Sequence, residues 1–83
     1  MTAETSRQIR DIIAEYAECD TKILTPTTRL GVDLGLDEFD FCGILTSIEE
    51  KFNIEISDAT WLGIHTLGEL ETYVIETQRI GVA

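Results

Sequence analysis

Bases are scarce in this chain of 83 residues: six Lys and Arg stand against sixteen Asp and Glu, for a formal net charge of −10. That balance argues against nucleic acid as a partner, because phosphates would repel it, and disfavours anionic membrane surfaces for the same reason. Cysteine and histidine are also few. Cys19 and Cys42 do not stand at metal-ligand spacing, and His65 has no second histidine with which to complete a site, so no metal is expected. Nothing points to export, so both thiols are expected to be reduced. The lone histidine has no recognisable triad partner, so no catalytic residue is assigned and the chain is not expected to be an enzyme. Hydrophobic runs are short. No window approaches the roughly 20 apolar residues of a membrane span, and Met1 to Arg10 lacks the apolar stretch of a signal peptide. A cytoplasmic monomer is the expectation.

What is present is a 43% hydrophobic composition, enough for a core in a single domain over residues 1–83, near the lower size at which a fold holds without staples. A first helix is expected over 5–18. Thr5 and Gln8 suit a capping box, and Ile9, Ile12, Ile13, Tyr16 and Ala17 make one apolar face. Residues 19–36 show no helical period and hold the only proline; Ile23, Leu24, Leu30, Val32 and Leu34 are the candidate anchors of this long loop. A second helix is expected from Asp37 to Lys51, with Phe39, Cys42, Leu45, Ile48 and Phe52 inward, Phe41 and Ile44 broadening the stripe, and Gly43 as an internal weak point. Ser57 or Asp58 caps a short helix that Gly63 ends in a left-handed conformation. Thr66 and Glu69 form a capping box for a last helix with Leu67, Leu70, Tyr73 and Val74 inward, fading near Arg79. The fold class is all-α, without strands.

The second helix and its approach concentrate the charge. Residues 33–50 hold Asp33, Asp37, Glu38, Asp40, Glu49 and Glu50 and no base. Asp37 suits the N-cap, and Glu38 and Asp40 fall in the first turn, where the helix dipole favours negative charge. The spacing of Asp33, Asp37, Glu38 and Asp40 is not that of an EF-hand loop. A basic protein surface is the natural complement of such a stretch.

Several segments at uniform spacing resemble the acyl and peptidyl carrier proteins over about residues 7–75. They are Thr28-Arg29-Leu30 and Asp33-Leu34-Gly35 in the loop, Ile48-Glu49-Glu50-Lys51-Phe52 closing the second helix, Asn53-Ile54-Glu55-Ile56-Ser57, and Ile64-His65-Thr66-Leu67. The resemblance implies a small four-helix bundle with a long first loop and a short third helix. It also implies an Asp-Ser-Leu motif at the start of the second helix, whose serine carries 4′-phosphopantetheine. Counting back from Phe52 without gaps sets Asp37, Glu38 and Phe39 on that motif, so Glu38 occupies the serine position; a shift of four residues sets Leu34 there instead. Neither register supplies a hydroxyl, and no cofactor is therefore expected.

By the same resemblance, Asp37, Glu38, Asp40, Glu49 and Glu50 are the residues expected to meet a basic patch on a biosynthetic or acyl-transfer enzyme, and Gly43 stands where the family often has Glu. The favoured reading is a non-catalytic docking or regulatory module linked to fatty-acid, lipid or polyketide/peptide-type biosynthesis. Two alternatives stand beside it: a functional acyl carrier in a specialised acyl-transfer pathway, and a binder of a free apolar acyl ligand held between the second and third helices.

Overall fold

A computed structural model describes residues 2–80. Its elements are α1 (Thr2–Ala17), a 3-10 turn (Thr21–Ile23), α2 (Glu38–Phe52), α3 (Asp58–Leu62) and α4 (Leu67–Ile80). The described residues form helices and loops, with one isolated antiparallel bridge between Arg29 and Thr66. This is the small all-helical bundle that the periodicity and the resemblance imply. No described helix is long and apolar enough to cross a membrane.

Three long helices converge on one core. Ile9 and Ile13 of α1, Ile44 and Ile48 of α2, and Leu67, Leu70 and Val74 of α4 are all fully buried. Each such side chain contributes about 1.5–3 kcal/mol relative to exposure. Leu24, Leu30 and Leu36 pin the long loop to the same core. Ile54 and Ile56 bury the link between α2 and α3.

The start of α1 departs from expectation. The helix begins at Thr2, so Thr5 is not its cap. Thr5 is buried inside the first turns, and its hydroxyl donates to Gln78 Oε1 of α4 at 3.2 Å. Gln8 instead donates to Glu4 at 3.1 Å. A tertiary partner has taken the hydroxyl that a local cap would have used. At the other end Glu18 enters the left-handed region at φ 55°, and the Cys19 N–H closes back on the Ala14 carbonyl at 3.1 Å.

Two expected members of the α2 core face are exposed: Phe39 at 86% and Cys42. The reason is angular. Each three-residue step falls about 60° short of a full helical turn, so the run Phe39, Cys42, Leu45, Ile48 winds around the helix and leaves Phe39 opposite Ile48. The true inner face is Ile44 and Ile48, flanked by partly buried Phe41, Leu45 and Phe52. Among the loop anchors, Ile23 and Val32 are likewise exposed, because Leu24, Leu30 and Leu36 fill the available core. Gly43 has a definite cause. A β-carbon there would lie 2.5 Å from Tyr16 Cε2, so the ring of α1 rests on the bare backbone of α2.

Gly63 does end α3, but at φ −90°, so the left-handed freedom expected of it is unused. That conformation falls instead on Asn53, at φ 55°, whose N–H closes α2 on the Glu49 carbonyl.

The long loop is held against the start of α4. The first N–H groups of a helix have no partner within it. Here Leu67 N–H donates to the Thr28 carbonyl at 2.9 Å and Gly68 N–H to the Pro26 carbonyl at 2.9 Å. Glu69 N–H takes the Thr66 hydroxyl at 3.2 Å, while Glu69 Oε1 accepts from Thr66 N–H at 3.1 Å, completing the expected capping box. Leu30 N–H donates to the His65 carbonyl at 3.0 Å. The connection between α1 and α2 (18–37) thus supplies a helix cap from a distance, and its placement sets Arg29 to Val32 across a cavity from α3.

Candidate functional site

The N-terminus of α2 is built by reciprocal capping. Asp37 Oδ1 accepts from Asp40 N–H at 2.9 Å, and Asp40 Oδ2 accepts from Asp37 N–H at 3.1 Å. These two carboxylates therefore hold the helix start as well as adding charge to it. Glu38, between them, is free of that duty and exposed. Further along, Glu49 Oε2 accepts from Ile56 N–H at 2.8 Å and ties α2 to the segment before α3, while Glu50 is exposed. The five acids singled out from the sequence thus do not form one uniform patch. Glu38 and Glu49 are eleven residues apart (38 and 49), which at 3.6 residues per turn places them on nearly the same line of the helix. Glu50 lies on a different line, that of Phe39 and Gly43.

Beside Glu38 opens a cavity of about 680 Å³. The loop contributes Leu30, Gly31 and Val32 to its wall; α2 contributes Phe41, Cys42 and Leu45; α3 and its exit contribute Trp61, Leu62 and Ile64. Phe41 and Trp61 meet edge to face, with ring centres 5.3 Å apart at 65°. That geometry places the positive edge of one ring against the negative face of the other. Glu38, Asp58, Arg29 and His65 also line the cavity. A largely apolar wall with a few polar groups is the usual make-up of a small-molecule site.

Two carboxylates at the loop and α4 have acidities set by the backbone. Asp33 accepts from Arg29 N–H at 2.8 Å, and this bond holds its carboxyl below the ordinary range; the Arg29 guanidinium, 3.4 Å away, adds to the effect. Glu69 is lowered chiefly by N–H donation from His65 and then from Thr66. His65 sits at the turn before α4, as its position in the sequence suggests, with its N–H on Glu69 and its carbonyl on Leu30. Cys19 and Cys42 are both free thiols. Among the described residues, no group of three or more His, Cys, Asp or Glu side chains is arranged to hold a metal.

Sequence reasoning placed the acids of α2 but did not assemble the cavity's polar rim. Arg29 comes from the long loop, Asp58 from the first position of α3 and His65 from the turn before α4, and no periodicity links residues from such separate segments. Trp61 both packs against the core and lines the cavity.

Comparison with known proteins adds a consistent result. The family model described as "phosphopantetheine attachment site" matches residues 7–74. The acyl carrier protein of Aster yellows witches'-broom phytoplasma is 37% identical over 67 residues, covering 81% of this chain and 88% of the relative. That of Helicobacter pylori is 36% identical over 66 residues, covering 80% and 85%. Acyl carrier protein AcpXL of Rhizobium etli is 38% identical over 72 residues, covering 87% and 77%.

These findings correct the expectation that no cofactor belongs with this chain, since the model that matches it describes the attachment of phosphopantetheine. The expectation rested on the single position that Glu38 or, in the shifted register, Leu34 occupies; the match spans residues 7–74. The geometry adds a point about place. Glu38, at the first position of α2, presents a carboxylate, which cannot form the phosphodiester that a hydroxyl forms, so this side chain does not fit the group as its anchor. No step below passes through the arm.

Proposed function

The chain belongs to the phosphopantetheine-attachment family, and on that premise we propose that it is a carrier-type domain that works by docking onto basic-faced enzymes of acyl transfer or biosynthesis. The chemistry lies with the partner; this domain is recognised and positioned. The observation that carries the reading is the pairing, on one side of the molecule, of an acid-rich α2 with an apolar cavity opening beside Glu38. Asp37, Glu38, Asp40, Glu49 and Glu50 supply the field, with no base between residues 33 and 50 to offset it. Opposite charge steers encounter and fixes orientation more than it adds raw affinity.

Salt separates this reading from a merely soluble acidic surface. Binding to a partner enzyme held by exposed charges weakens as ionic strength rises, because screening length falls to about 8 Å at physiological salt. Glu38→Gln combined with Glu50→Gln should lower the association rate and flatten its salt dependence. An affinity indifferent to both salt and these substitutions would remove the docking reading.

The cavity favours a second role for the same domain, sheltering an apolar acyl chain. Its volume and its wall of Leu30, Phe41, Leu45, Trp61 and Ile64 suit a flexible hydrocarbon. Trp61 is the only tryptophan, which makes the test direct. Titration with dodecanoyl-N-acetylcysteamine should shift its emission saturably. Unchanged emission, with no binding by calorimetry, would dispose of the sheltering role and leave docking intact.

A further inference from the structure

The docking face has an unexpected centre. The line of α2 that begins at Phe39 continues through Gly43 and Ser47 to Glu50, one turn or so apart at each step. At Gly43 there is no side chain, and the surface is instead occupied by α1. A β-carbon on Gly43 would stand 2.5 Å from Tyr16 Cε2, 2.6 Å from its hydroxyl oxygen and 2.8 Å from Cζ. Any other residue at this position would have to push the ring away. The Tyr16 hydroxyl also stands 3.5 Å from Ser47 Oγ, one turn further along α2. Tyr16 is only partly buried, so part of its surface remains open beside the helix. One turn before Gly43, Phe39 is 86% exposed, the most open of the large apolar side chains among the described residues.

We infer that Tyr16 and Phe39 form an aromatic centre to the docking face, and that this face fits a partner protein presenting arginine, rather than lysine alone, against the rings. The inference rests on the docking reading above and names the chemistry of the partner. Arginine suits both parts of the surface. Its planar guanidinium stacks on aromatic faces, where lysine acts as a compact, strongly hydrated charge. Its charge also complements Glu50, the exposed acid that closes the same line of α2. Lys51, which follows Glu50, sits in a groove with Asp11 and Glu15 of α1. Tyrosine and arginine are over-represented among the residues that dominate interface energy, whereas a lone exposed phenylalanine without such a neighbour needs no explanation.

The test uses the full chain, labelled with nitrogen-15, and two amphipathic helical peptides of equal charge, one bearing arginines and the other lysines. The arginine peptide should shift the Gly43 amide and the ring protons of Tyr16 and Phe39. Tyr16→Leu should weaken its binding about three- to fivefold, while Tyr16→Phe, which keeps the ring, should stay within about twofold. The lysine peptide should lose less on Tyr16→Leu. Because Tyr16 also packs on the core, Phe39→Ala provides a second variant at an exposed position, with a loss of about threefold expected. Shifts at Glu38 and Glu49 but none at Gly43, Tyr16 or Phe39, or equal losses for both peptides, would overturn the aromatic centre alone. No shift at acids or aromatics with either peptide would overturn it together with the docking reading.

Discussion

The Gly68 N–H donates to the Pro26 carbonyl at 2.9 Å, and the same closeness leaves no room for a side chain: a β-carbon on Gly68 would lie 2.8 Å from that oxygen. One glycine thus lets the long loop cap α4. Gly68→Ala should destabilise the fold by about 1–3 kcal/mol, the usual cost of overpacking a rigid contact. Because the clash is with backbone rather than with a flexible side chain, little relief is available. Urea denaturation gives the answer; an unchanged midpoint would mean that the loop yields freely and is not held as described.

Glu71 on α4 is buried and its carboxylate accepts from Arg10 Nε of α1 at 2.9 Å, while Arg10 remains partly open to solvent. Truncating the arginine strands a buried acid. Arg10→Ala should cost about 1–3 kcal/mol, and the double variant Arg10→Met with Glu71→Leu should recover most of it, since an apolar pair of similar size often replaces a buried ion pair without loss. Thermal or urea unfolding of the parent and the two variants forms the comparison. Equal stability of Arg10→Ala and the parent would show the pair to be inert.

Glu69 makes a pH prediction with a definite sign. Its carboxyl is held below the ordinary value of 4.5 by the N–H groups of His65 and Thr66. A group whose folded pKa is depressed stabilises the fold fully above its unfolded pKa, and that contribution is lost as pH falls through the folded value. Stability should therefore decline below about pH 4.5, and Glu69→Gln should make the decline shallower. Asp33, lowered by Arg29 N–H, should act in the same direction. Denaturation midpoints measured from pH 6 to pH 3 test this, and parallel curves for parent and variant would refute it.

Position 38 offers a chemical test. Incubation with coenzyme A and a broad-specificity phosphopantetheinyl transferase, followed by peptide mapping, should leave the peptide containing Glu38 unmodified, because a carboxylate does not form the phosphodiester. Glu38→Ser should give a chain modified at that position, since the capping pair Asp37 and Asp40 already presents the first turn of α2. Modification of the parent at residue 38 would contradict the placement of that residue.

Much of this architecture was legible because it is local. The capping box of Thr66 and Glu69, the Ser57 cap (its Oγ accepts from Thr60 N–H at 3.1 Å) and the Asp37 cap all depend on residues three apart. The buried faces of α1 and α4 follow from a steady 3.6-residue period. On α2 the three-residue spacing points Phe39 and Cys42 inward, but consecutive three-residue steps drift around the helix and both are exposed. The Thr5 cap misled because its hydroxyl was claimed by Gln78, 73 residues away along the chain.

By itself the order of residues determined the helices, the caps that open α2, α3 and α4, the sign of the charge and the family framework, since each of these is decided by neighbours within a turn or by composition. Only the tertiary structure decided which acids are committed to backbone donors, what the cavity beside Glu38 is made of, and that Tyr16 lies over Gly43. Those features join residues from separate helices and loops. Their positions follow from how the core packs, and packing is a property of the assembled volume that no spacing along one segment contains.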